Sequence, residues 1–494
     1  MSASGAGPAP PDLLDTSAAG PIAARGGAMR AAGFAAATLL SVLSAPLLIR
    51  HLGVEDFGRY VTVLSLVAVV AGLTEAGVAA IAMREYASRS GADRAAIMRD
   101  LLGIRIALTC VGVVAGVGFA VVAGYPSVLV YGTLAAGCAL LLQSVQTTLA
   151  SALQAELRFG WITIVELLRQ VIFVALLVVL VVGGAKLEPF FLAQIPAFAV
   201  ALLMTALLVR RLIPLRPSFH VSRWWPLLRD TVAYAAAVAL NTLYFRTALI
   251  ALSLLSSDRQ TGYLATAFRV IEVLLAVPLL VFGAAFPILA RAARDDRERL
   301  DSTATRLLEV ALVLGIWVAL VLLLGARPII TVLAGDASDP SVLLLRLQGI
   351  ALAATFVTVA GGYVLLALHR HRAILVANAC ALAVALTLTP ALIIAYDATG
   401  AAIGVLVAEI VLAAVTLTIV LRARPRAAAA LRRAPRILAA GVLAGASILI
   451  PGLPPIGHTA VAVLAYPALL LALGRFPPEI ADAARGGSRG VAPR

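Results

Sequence analysis

Apolar residues run along this chain in blocks of twenty or so, separated by short polar turns that hold most of the charge. A helix of ~20 apolar residues, rising 1.5 Å per residue, crosses the ~30 Å hydrocarbon layer of a bilayer. The pattern places spans near residues 28–49, 60–83, 101–123, 128–153, 162–182 and 189–209. A second series falls near 232–255, 263–289, 307–325, 342–368, 374–396 and 398–421, and two shorter blocks follow near 437–450 and 460–473. The expectation is an all-α polytopic membrane protein with about fourteen transmembrane helices. Residues 1–27, rich in Ala, Gly, Pro and Ser, read as a disordered N-terminal tail, and 475–494 as a cytoplasmic C-terminal tail. No apolar core with a cleavage site precedes residue 28, so the first span is expected to act as an uncleaved anchor.

Composition supports the pattern. Of 494 residues, 62% are hydrophobic and only 13% charged, far from the balance of a soluble domain. The basic residues behind the net charge of +14 lie mostly in the turns between apolar blocks, which argues for topology-setting loops and against nucleic-acid binding. Arginines gather in alternate loops, at 84–99, 210–229, 291–299, 370–372 and 422–436. The intervening loops hold little beyond Arg50, Arg59, Lys186, Arg259, Arg327 and Arg346. Basic residues accumulate on the cytoplasmic side, so both termini are expected inside. Two inner connectors, 84–100 and 291–306, carry opposite charges four residues apart (Glu85/Arg89, Arg294/Glu298, Arg297/Asp301) and read as surface helices. Cys110, Cys138 and Cys380 all lie inside apolar blocks, with no metal-ligand spacing, so neither disulfide nor metal is expected.

These connectors occupy matching places in two halves, 28–209 and 232–421, joined by a cytoplasmic linker at 210–231, with 422–474 appended. Six spans per half repeat the same orientation, an arrangement found in transporters. The second half opens with charge inside its spans: Asn241 and Arg246 in the seventh, Arg269 and Glu272 in the eighth. A charge at bilayer depth costs at least ~2.5–3.5 kcal/mol unless it faces water or a partner. These groups are therefore expected to line an internal cavity, with Arg246 and Arg269 binding an anion and Asn241 a polar group. Arg269 and Glu272, three residues apart, are equally placed to pair with each other. Arg50 sits at the outer end of the first span, as an exit residue or an interfacial anchor. Glu75, Glu409 and Glu272 are the candidates for ion coupling, because a carboxylate in a membrane can titrate or hold a cation; each is also placed to brace helices.

Residues Arg50-His51-Leu52-Gly53-Val54-Glu55-Asp56-Phe57-Gly58-Arg59-Tyr60 resemble the signature after the first span of bacterial polysaccharide exporters. Leu333-Ala334-Gly335 with Leu343-Leu344-Leu345, and Gly400-Ala401-Ala402-Ile403-Gly404 leading to Glu409, resemble later segments of the same family. That family is the oligosaccharide flippases of the multidrug/oligosaccharidyl-lipid/polysaccharide (MOP) exporter superfamily. The resemblance covers roughly residues 30–425. It implies a MATE-like fold with two six-helix lobes plus two C-terminal helices, alternating access, and residence in the inner membrane. The implied substrate is an undecaprenyl-pyrophosphate-linked glycan. No cofactor is implied beyond H+ or Na+ coupling; membrane lipids, a polysaccharide polymerase and glycosyltransferases are the expected partners. Rival readings are a multidrug exporter or a peptidoglycan-precursor flippase on the same fold. A membrane glycosyltransferase or polymerase is disfavoured, because no outer loop is long enough to fold around an acceptor.

Overall fold

The computed structural model describes residues 19–75, 77–89, 91–229 and 232–473. Among them every long element is a helix. In hydrocarbon each backbone N–H and C=O must be satisfied within the protein, and a helix does this inside a single segment. The first eight helices are α1 (Ala19–Glu75), α2 (Val78–Ser88), α3 (Gly91–Val122), α4 (Ser127–Ala155), α5 (Phe159–Val182), α6 (Leu187–Leu192), α7 (Gln194–Val209) and α8 (Trp224–Arg229). Then come α9 (Val232–Leu255), α10 (Asp258–Leu274), α11 (Ala276–Asp295), α12 (Arg297–Ala334), α13 (Pro340–Ala367), α14 (His371–Ala423), α15 (Ala429–Gly445) and α16 (Pro455–Ala472). Ten stretches are long and apolar enough to cross a membrane, which makes this a multi-pass membrane protein.

The two longest helices are each broken. Gly53 interrupts α1 at φ 72°, a left-handed conformation that costs glycine nothing. Asp397 interrupts α14 at φ 50°. A β-carbon is disfavoured there, though Asp tolerates the region better than most residues. The Asp397 carboxylate also accepts a hydrogen bond from Ser256 Oγ at 2.7 Å. The tail at 1–27 and the C-terminal tail at 475–494 fall largely or wholly outside the described residues.

The connectors at 84–100 and 291–306 correct the sequence reading: neither is a separate surface helix. The first is the end of α2 and the start of α3; the second is the end of α11 and the start of α12. Extending a formed helix adds a hydrogen bond per residue, so helices overrun the apolar block into the polar connector. Glu85 does meet Arg89 (2.7 Å), and Arg84 as well (2.9 Å). Asp301, however, turns away from its own helix to Arg424 at 3.6 Å and Arg426 at 3.8 Å.

The chain divides into two compact units. The first combines Met1–Leu47 with Val67–Val238; the second combines Leu48–Leu66 with Ala239–Arg494. The first unit packs a core of Ile81, Tyr86, Met98, Leu101, Leu102, Leu149 and Leu153. Its linker is docked rather than loose: Ser218 N–H donates to Arg99 O at 2.9 Å, and Gly103 makes room for the Ser218 carbonyl, which a β-carbon would meet at 1.8 Å.

In the second unit, Ala377, Ala381 and Ala385, before the break in α14, pack in one cluster with Ala408 and Leu412, after it, and with Tyr244 of α9. The appended pair α15–α16 is fixed on α12 by Tyr466 and Leu470 against Val313 and Leu320. Trp317 Nε1 donates to Val463 O at 3.2 Å, and Arg433 pairs with Glu309. The Leu48–Leu66 segment is clamped onto the start of α10. Arg59 donates to Asp258 at 2.8 Å, Asp56 at 2.9 Å and Glu55 at 2.8 Å. Gly58 and Gly262 meet backbone to backbone: a β-carbon on Gly58 would lie 2.2 Å from Asp258 O, and one on Gly262 1.8 Å from Val54 O.

Candidate functional site

Of the predicted residues of the second half, Asn241 and Glu409 line a cavity in the second unit, whereas Arg246, Arg269 and Glu272, expected to line one, are not in its walls. Asn241 and Tyr244 are one turn apart on α9, and Gln348 and Thr355 two turns apart on α13, so each pair shares a helix face. With Thr389 and Glu409 of α14 they line a cavity of 220 Å³ whose remaining walls are mainly aliphatic and phenyl groups. Glu409 is 8% exposed. One of its oxygens accepts from Tyr244 Oη at 2.8 Å and the other from Thr355 Oγ1 at 2.9 Å. Both of these partners are neutral hydroxyls. Gln348 Nε2, Thr358 Oγ1 and Thr389 Oγ1 are buried there without a hydrogen-bond partner among the described residues. Such groups are ordinarily satisfied by water or a ligand, so the lining suits a small hydrated species. Asn241 reaches Asn378 at 3.4 Å.

The second cluster lies beside this cavity on α9 and α10. Arg246 Nη1 donates to Glu272 Oε1 at 2.8 Å, and Arg269 Nη1 lies 3.4 Å from Glu272 Oε2. One carboxylate thus serves two guanidinium groups. The three side chains are 20%, 31% and 27% exposed. Arg246 stacks over Phe245, which packs against Phe268.

The other two predicted residues lie elsewhere. Arg50 donates to the carbonyls of Thr331 (2.9 Å) and Val332 (2.7 Å), in the last turn of α12, where a cation suits the partial negative charge of the helix end. Glu75, in the first unit, pairs with Arg105, which also donates to Thr74 O at 2.7 Å. Sequence reasoning missed Arg105, Tyr244, Thr355 and Gln348. For Tyr244 a signal existed in its spacing of three from Asn241. Arg105 sits near the start of an apolar block and reads there as an ordinary flanking charge.

Outside the spans, Tyr86 and Glu85 build a polar network in the first unit. Burial raises the Tyr86 hydroxyl to about 12, helped by its hydrogen bond to Glu156 at 2.8 Å. Burial pushes the Glu85 carboxyl up, but hydrogen bonds and charge from Arg84 and Arg89 outweigh it and hold the group below its ordinary value. Among the described residues no group of three or more His, Cys, Asp or Glu is placed to hold a metal.

Long apolar helices with internal breaks and charged groups held along them define a multi-pass membrane protein. The sequence profile described as polysaccharide biosynthesis protein matches residues 24–293, more than half of the chain, and the chain belongs to that family. No curated protein sequence matches it. Among solved structures, the lipid II flippase MurJ in an inward closed conformation superposes with a TM-score of 0.73 at 12% identity, covering 90% of this chain and 98% of MurJ. An inward-facing multidrug resistance MATE transporter of the MOP superfamily gives 0.63 at 14% identity, covering 80% and 96%. A MOP superfamily transporter from Pyrococcus furiosus gives 0.58 at 17% identity, covering 83% and 96%. At these identities the likeness is one of fold.

Proposed function

We propose that this protein moves a lipid-linked, pyrophosphate-bearing oligosaccharide across the inner membrane by alternating access, with both termini in the cytoplasm. The observation that carries the reading is the pair Arg246 and Arg269, part-exposed on consecutive transmembrane helices and sharing one carboxylate. Membership in the polysaccharide biosynthesis family supports a glycan as the cargo.

The chemistry asks for three things. A pyrophosphate leaving water needs fixed positive charge, which guanidinium groups supply with bidentate geometry. The sugar needs hydrogen-bonding groups, of which Asn241 is the exposed candidate on the same helix. Net movement needs an energy source, and Glu409, held by two hydroxyls beside a polar cavity, is the candidate for H+ or Na+ coupling. The prenyl chain stays in lipid, and no covalent bond is made or broken. Glycosyltransferases supply the substrate and a polymerase consumes it. The substrate is assigned as undecaprenyl-pyrophosphate-linked glycan.

Deletion of the gene, followed by analysis of surface polysaccharide and lipid-linked intermediates, tests this. The expected result is loss of surface glycan while a complete lipid-linked oligosaccharide accumulates on the cytoplasmic face. Truncated intermediates point to a glycosyltransferase, and accumulated peptidoglycan precursor to that precursor's flippase. Intact glycan with new sensitivity to cationic drugs points to a multidrug exporter. In the complemented strain, Arg246→Ala or Arg269→Ala is expected to cut export at least ~10-fold at unchanged protein level, as for truncation of a charged partner.

A further inference from the structure

We infer that Glu272 is an exchangeable counter-anion: it occupies the phosphate-binding position between Arg246 and Arg269 and is displaced by the substrate's phosphate. The inference rests on the reading that these two arginines hold the lipid-linked pyrophosphate.

Three observations support it. Each Glu272 oxygen faces a different guanidinium, at 2.8 Å and 3.4 Å, so the carboxylate bridges α9 and α10 as one O–P–O edge of a phosphate would. Two guanidinium groups converge on this one carboxylate, and all three side chains are part-exposed. Arg246 is steadied from behind, its guanidinium carbon 5.3 Å from the centre of the Phe245 ring, whose own centre is 5.7 Å from that of Phe268. Losing its carboxylate therefore does not release the guanidinium from its place.

A phosphate group brings more acceptor oxygens and more charge than a carboxylate, so it competes for the same donors. The displaced carboxylate then stands beside an anion, and their repulsion speeds release. A carrier needs this, since a site must bind well enough to load and weakly enough to unload. Without Glu272 the two arginines form a deeper well for phosphate and a slower carrier.

The test uses the full-length protein in lipid nanodiscs, with a short-chain prenyl pyrophosphate as probe, and export measured in the complemented deletion strain. Glu272→Gln keeps the shape and removes the charge. The expected result is ~10-fold tighter probe binding together with reduced export, a change of about 1.4 kcal/mol. Glu272→Asp, too short to bridge both guanidinium groups, is expected to fall between wild type and Gln. Thermal unfolding identifies any variant that is misfolded, and the Asp variant then carries the comparison. Probe binding that is unchanged or weaker in a folded variant overturns the inference. If Arg246→Ala still abolishes binding in that case, the phosphate reading stands without it. Absence of probe binding in wild type and in the folded Glu272 variants overturns both.

Discussion

Each unit carries an arginine–carboxylate cluster on its transmembrane helices, and the two are built differently. In the first unit Arg105 is 5% exposed by side chain and serves two acceptors, the Glu75 carboxylate and the Thr74 carbonyl at the end of α1. Cation and anion are matched one to one, and the arginine closes a helix end that would otherwise leave carbonyls unsatisfied. In the second unit two arginines share Glu272 and every member is part-exposed. The first arrangement spends its hydrogen bonds on the fold. On the reading proposed above, the second is open to a ligand. Burial, rather than residue type, is what the two clusters differ in.

The largest effect expected from this contrast is on stability. Arg105→Met leaves the Glu75 carboxylate and the Thr74 carbonyl without their partner, and should destabilise the protein by about 2–3 kcal/mol. This is below the full cost of breaking a buried pair because Glu75 keeps a third of its side chain exposed. Arg246→Ala, measured in the same detergent, should cost less than ~1 kcal/mol, as for an accessible ion pair, while still abolishing export. Equal losses of thermal stability in the two variants would erase the distinction. Glu409→Gln sharpens it from a third side, since this carboxylate accepts hydrogen bonds from two hydroxyls. Export driven by an ion gradient should fall several-fold with prenyl-pyrophosphate affinity unchanged; a parallel fall in affinity would place Glu409 in the substrate site instead.

The smallest effect concerns Glu85. Its carboxyl is held below the ordinary value of 4.5 in the folded protein. The unfolded chain therefore binds the proton first, and the stabilisation is present above pH ~4.5 and lost as pH falls through the depressed folded value. Thermal unfolding followed between pH 6 and pH 3 should show this loss in wild type and a shallower one in Glu85→Gln.

The helical, multi-span architecture was legible because a twenty-residue apolar block has one comfortable conformation in a bilayer. Contacts within a helix were legible too: Glu85 and Arg89, four residues apart, do pair, as do Arg269 and Glu272. Contacts between helices were not. Arg246 meets Glu272 across 26 residues, Arg105 meets Glu75 across 30, and Tyr244 meets Glu409 across 165. Their pairing depends on which faces the packed helices turn toward one another, and apolar periodicity is nearly silent on that when a helix is hydrophobic all round. The same limit hid the attachment of Leu48–Leu66 to the second unit, which runs through glycines that carry no side chain to read.

The meeting of Gly58 with Gly262 has a consequence for how this protein tolerates change. Most packed positions offer a graded series of replacements, each a little worse than the last, because side chains can tilt and neighbours can give. Here the obstacle to a first carbon is main-chain oxygen and nitrogen, at 1.8–2.7 Å. Main-chain atoms cannot rotate away, so alanine and valine should behave alike, and the fitness landscape at these two codons is a step rather than a slope. Second-site revertants of a Gly262 substitution are expected to reset the backbone of the facing Val54–Gly58 stretch rather than to trim a neighbouring side chain.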